Sequence, residues 1–106
     1  MKPTITEHEL IKLKKNLQYE KGAITATTIY KTDIQTVAGM AFDRGQSIMP
    51  CCSTTNLMLH VLEGQAEVMI AGKNYDIMEG QEIVMPKNKI HALFAKTKLK
   101  LALVKG

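Results

Sequence analysis

From residue 23 onward the chain is a succession of short runs rich in Val, Ile, Thr, Leu and Ala, each closed by a turn. The runs are "AITATTIYK" (23–31), "IQTVAGMAF" (34–42), "NLMLHVL" (56–62), "AEVMIA" (66–71), "YDIM" (75–78), "EIVM" (82–85), "IHALFAK" (90–96) and "KLKLALVK" (98–105). "DRGQS", "AGKN", two "EGQ" triplets and Pro86 punctuate them. Runs of this length cannot carry several helical turns, and β-branched side chains fit a pleated surface better than a helix. Turn signals spaced by roughly 8–12 residues predict an all-β sandwich or barrel. The first "EGQ", residues 63–65, reads as a tight hairpin turn joining 56–62 to 66–71.

Ahead of these runs, "ITEHELIKLKKNL" (5–17) has the pattern of a short helix. Thr6 and Glu9 have capping-box spacing, Ile5 and Leu10 that of a hydrophobic staple. Leu10, Leu13 and Leu17 make one apolar stripe, with Lys12, Lys14 and Lys15 toward the C-terminal end. A helix this short needs a surface to pack on.

The strand "LMLHVL" is apolar on both faces: Leu57, Leu59 and Val61 share one, Met58, His60 and Leu62 the other. A sheet with one wet face should alternate more cleanly. The expectation is that a second subunit covers the Met58/His60/Leu62 face, giving a homodimer.

Composition narrows the function classes. The 106 residues amount to one domain, 45% apolar and 23% charged. The net charge of +4 comes from thirteen lysines and Arg44 against ten acids. These lysines are scattered and stacking aromatics are few, which speaks against nucleic-acid binding. No apolar run is long enough for a membrane helix, and the first residues lack the apolar core of a secretory leader, so the expected location is cytoplasmic. Cys51 and Cys52 are then expected as free thiols, because a bridge between neighbours strains the peptide joining them.

Two segments together resemble the cupin superfamily. The first cupin motif is G, five residues, H-x-H, three or four residues, E, six residues, G. Here Gly45, five residues, Cys51-Cys52-Ser53, three residues, Leu57, six residues and Gly64 follow that spacing. The second is G, five residues, P-x-G, two residues, H, three residues, N. Gly80, five residues, Pro86-Lys87-Asn88, two residues, His91, three residues and Ala95 follow it too. The resemblance covers about residues 36–105 and is to small single-domain cupins of the RmlC-like, conserved-barrel type 2 kind. It implies a double-stranded β-helix, a jelly-roll barrel of two antiparallel sheets, usually dimeric. Residues 1–35 would be a helix and strand packed on the barrel, residues 36–106 the barrel itself.

The resemblance breaks at the chemistry. Where metal-binding cupins hold an ion with three histidines and a glutamate, this chain has Cys51, Ser53, Leu57 and His91. Leucine cannot ligate and a neutral serine is a poor ligand; His91 and Cys51 alone are fewer than the three or four ligands of a zinc site. No metal or other cofactor is expected. The leading expectation is a small-molecule-binding protein whose pocket is lined by Cys51, Ser53, Leu57 and His91 and takes a partly apolar ligand. A transition-metal-dependent oxygenase or isomerase with an altered ligand set (His91 and Cys51 with a further group) is the alternative, and a packed barrel serving only as an interaction module is the third. No residue is assigned a catalytic role. The seven methionines form no repeat and read as core and pocket fillers.

Overall fold

The computed structural model describes residues 12–106 and, for residues 49–51, the backbone alone. Nine strands follow one helical turn: α1 (Leu13–Asn16), β1 (Ile24–Lys31), β2 (Thr36–Phe42), β3 (Ser47–Cys52), β4 (Leu57–Glu63), β5 (Gln65–Ile70), β6 (Lys73–Met78), β7 (Glu82–Met85), β8 (Ile90–Ala95) and β9 (Leu99–Lys105). They form two antiparallel sheets, ordered β1-β2-β9-β4-β7 and β3-β8-β5-β6. This is the expected jelly roll. β1 pairs along its whole length with β2, so part of the 1–35 segment is an edge strand of the larger sheet.

Alternation along each strand builds the core. Leu57, Leu59 and Val61 of β4, Leu99 and Leu101 of β9, and Phe42 of β2 face Ala66, Val68, Leu93 and Ala95 of the other sheet. Phe42, Leu99 and Leu101 are fully buried, each removal from water favouring the fold by about 1.5–3 kcal/mol.

Two expectations need correction. The stretch 47–52 is strand β3, which sequence reasoning passed over. Its proline and paired cysteines look unlike a strand, but β3 is an edge strand, where a missing N–H is tolerated. Its ladder to β8 also breaks register between Ile48 and Cys51, across the proline. Second, β4 and β5 are not a hairpin: β4 pairs with β7 and β9, β5 with β6 and β8, and Gly64 turns the chain from one sheet to the other. Gly64 has φ +91°, and a Cβ there would lie 2.1 Å from the Lys98 carbonyl oxygen, so only glycine fits the corner. The expected short N-terminal helix is present as a single turn, Leu13–Asn16, within the described residues; Ile5, Thr6, Glu9 and Leu10 lie outside them.

That turn has no side-chain cap and depends on its dock. Leu17, 2% exposed, anchors it, and Gly39 of β2 makes the space. A Cβ at residue 39 would come within 2.8 Å of Leu13 and 2.9 Å of Leu17. Lys100 Nζ donates to the Lys14 carbonyl at 2.7 Å, satisfying one of the open acceptors of the turn. Tyr19 follows, its hydroxyl hydrogen-bonded to the Glu63 carboxylate and its ring beneath the ammonium groups of Lys98 and Lys100, 5.3 and 5.0 Å away. Burial first, then the bond to Glu63, holds that hydroxyl well above the usual phenol range.

Candidate functional site

At one end of the barrel, where β3, β4, β8 and β9 meet, a cavity of about 320 Å³ is lined by Cys52, Ser53, Thr54, Leu57, His91 and Lys105. Strand pairing brings these residues together. Lys105 lies opposite Leu57 in the β9–β4 ladder, so both point inward. Across the barrel, His91 lies opposite Cys51 on one side and Ile70 on the other.

The rim is stitched by the two loops that deliver these residues. Asn88 N donates to the Ser53 carbonyl at 2.7 Å, and Lys87 N donates to Asn56 Oδ1 at 2.9 Å. Ser53 Oγ accepts from Thr55 N at 3.2 Å, a local turn that fixes the side chain. Asn88 has φ +62°, left-handed, and it stands where the second motif has its glycine. Asparagine is one of the few residues besides glycine that adopt this conformation readily, so the turn survives the replacement.

Ser53, Leu57 and His91 of the expected set line one cavity; for Cys51 the structure gives the ladder position opposite His91. His91 is the single buried polar residue among the described residues, 6% exposed, and has an interaction partner within the protein. Leu57 is buried and forms an apolar part of the cavity wall. Sequence reasoning missed Cys52, Thr54 and Lys105 as lining residues. For Lys105 a signal existed: in "KLKLALVK" it continues the inward row of Leu99, Leu101 and Leu103. His60 lies elsewhere, on the outer face of the larger sheet, with Nδ1 3.2 Å from Glu82 Oε1.

A smaller depression of about 160 Å³, bordered by Ser47, Glu67, Met69 and Phe94, also opens on the smaller sheet. It contains none of the motif residues, and the cavity at His91 remains the candidate site.

No family model matches the chain, and no curated protein aligns with it. Solved structures do. A conserved protein of unknown function from Streptococcus pyogenes is 29% identical over 95% of this chain and 89% of its own, with TM-score 0.89. A cupin superfamily protein from Desulfitobacterium hafniense superposes with TM-score 0.86 at 17% identity, covering 98% of this chain and 94% of its own. The cupin 2 conserved barrel domain protein from Leptotrichia buccalis is 25% identical, with TM-score 0.83, over 87% of this chain and 45% of the longer relative. The chain has the cupin fold. The two segments with cupin-motif spacing span β3–β4 and β7–β8.

The cupin metal does not fit the donor set here. Leu57 takes the place of the glutamate ligand and offers no lone pair, and the Ser53 hydroxyl is engaged in its turn. Among the described residues no group of three His, Cys, Asp or Glu side chains is placed to hold an ion. No helix among them is long and apolar enough to cross a membrane.

Proposed function

We propose that the protein is a small-molecule-binding cupin whose barrel-end cavity has lost the family's metal chemistry and kept its pocket. The observation that carries this reading is the cavity itself. Its volume lies at the lower end of the range of ligand pockets, about 300–1,000 Å³, and it joins an apolar wall at Leu57 to a buried imidazole at His91. A carboxylate at position 57 would need an ion or hydrogen bonds to offset its desolvation; leucine needs neither. His91 can donate or accept, so it suits the polar end of a partly apolar ligand.

A panel of small partly apolar compounds screened by thermal shift tests the reading. A compound present at about a hundred times its Kd should stabilise the protein by about 2.7 kcal/mol. His91→Ala should abolish that gain while its circular dichroism stays that of the parent. If no compound stabilises the protein, or if His91→Ala leaves the gain intact, the reading fails.

The homodimer expected from the sequence belongs to the same proposal and has its own support. Tyr30, Val37, Val104, Met58 and Val84 occupy adjacent register positions on five consecutive strands, making an apolar row across the outer face of the larger sheet. Tyr30, Met58 and Val84 are 40%, 38% and 56% exposed. A second copy of the same sheet would cover this row.

A further inference from the structure

We propose that the cavity is an anion site whose ligand is a small carboxylic acid, bound as the carboxylate with its charge at Lys105 and its apolar body against Leu57. The inference rests on the reading of the cavity as a binding pocket and names its ligand class.

The argument begins with the charges. Among the described residues, the cavity lining contains one permanent cation, Lys105, one imidazole, His91, and no carboxylate. Elsewhere on the barrel the cations near acids are paired: Lys14 with Glu63 and Glu79, Lys96 with Asp76 and Glu67, and His60 beside Glu82. No acid among the described residues stands within ion-pairing distance of Lys105. An inward-facing strand position is an uncommon place for an unpaired ammonium, since the same row carries Leu99, Leu101 and Leu103. The side chain reaches the cavity mouth and remains exposed, so it is solvated in the free protein and available to a ligand.

The neighbouring groups select the kind of anion. Thr54 adds a hydroxyl at the same rim, while that of Ser53 is held in its turn. One ammonium with one neutral donor matches a singly charged carboxylate. A phosphate ester, with its greater charge, calls for more donors or the fork of an arginine, and the sole arginine, Arg44, is not part of the lining. Leu57, directly opposite Lys105 in the ladder, puts apolar surface within one strand spacing of the charge. An aliphatic acid meets both at once.

The test is an NMR titration of the full chain with hexanoate, hexanol and inorganic phosphate, repeated on Lys105→Gln. Hexanoate should bind about tenfold more tightly than hexanol, the difference expected for a hydrogen bond to a charged group. Its shifts should centre on Leu57 and His91, and added salt should weaken the acid more than the alcohol. In Lys105→Gln the acid should fall to the affinity of the alcohol, and the alcohol should bind as before. Equal binding of acid and alcohol to the parent protein overturns the anion inference and leaves the pocket reading standing. So does a preference for acid that survives Lys105→Gln. Phosphate binding more tightly than hexanoate overturns the carboxylate class. If no probe perturbs Leu57 or His91, the pocket reading falls and this inference with it.

Discussion

Leu57 and Lys105 face each other across the β4–β9 ladder, one the apolar wall of the cavity and the other its permanent charge. At that first position the family's metal sites carry a carboxylate. The pairing therefore sets the electrostatics of the barrel end: a fixed positive charge beside a surface that cannot neutralise it.

Restoring ligands should restore an ion. The double variant Cys51→His with Leu57→Glu, added to the native His91, supplies three family-type donors. Elemental analysis after dialysis against metal-free buffer should find well under one equivalent of transition metal in the parent and close to one in the variant. A full equivalent of iron, zinc or copper in the parent would sink the metal-free reading.

Met58→Lys should dissolve the proposed dimer. It places a charge within the apolar row, between Val84 and Val104. Light scattering at micromolar concentration should read a dimer for the parent and a monomer for the variant. A monomeric parent counts against the second-copy proposal.

Two glycines with similar backbone angles should respond differently to alanine. At Gly64 the added Cβ meets the Lys98 carbonyl at 2.1 Å; at Gly72, in the β5–β6 turn with φ +86°, it meets nothing within 4 Å. Gly72→Ala carries the left-handed backbone cost alone, about 1–2 kcal/mol. Gly64→Ala adds the displacement of a strand end and should cost more than about 3 kcal/mol, or prevent folding. Urea denaturation of the two variants measures the gap, and equal losses would mean that the corner is more pliable than its geometry.

Acid should loosen the β1–β2 end of the barrel. Asp43 accepts from Gly22 N at 2.7 Å and from Arg44 N at 2.9 Å, and these bonds, that from Gly22 first, hold its carboxyl below the usual aspartate range. A carboxyl depressed in the folded state contributes stability that is complete above its unfolded value and is lost as pH falls through its folded value. Asp43→Asn should therefore flatten the stability profile below about pH 4. Chemical denaturation across that range checks it: parallel profiles for parent and variant would show that Asp43 has no part in the acid response.

How much of this was written in the sequence depends on the kind of signal. Most strands were legible because their inward residues alternate, as at Leu57, Leu59 and Val61. β3 was not, because Pro50 and the paired cysteines look unlike a strand, and only its place at a sheet edge makes them acceptable there. The hairpin expected at 63–65 fails for a different reason: local turn chemistry at Gly64 cannot tell a reversal within one sheet from a step between two. Of the site, Ser53, Leu57 and His91 could be named from motif spacing. Lys105 lies outside both motifs: its place in the inward row of Leu99, Leu101 and Leu103 was legible, but its position opposite Leu57, nearly fifty positions earlier in the chain, was not.

The place of β9 has a consequence for how the molecule assembles. It is ninth in order along the chain, yet it lies third of five in the larger sheet, hydrogen-bonded to β2 on one side and β4 on the other. Until β9 inserts, that sheet is two fragments, β1-β2 and β4-β7, each with an open inner edge. Closing it joins segments far apart in sequence, which places the protein among slowly folding topologies. The unpaired edges of β2 and β4 are then templates for strands of other molecules, and self-association during refolding should track the time spent with β9 undocked.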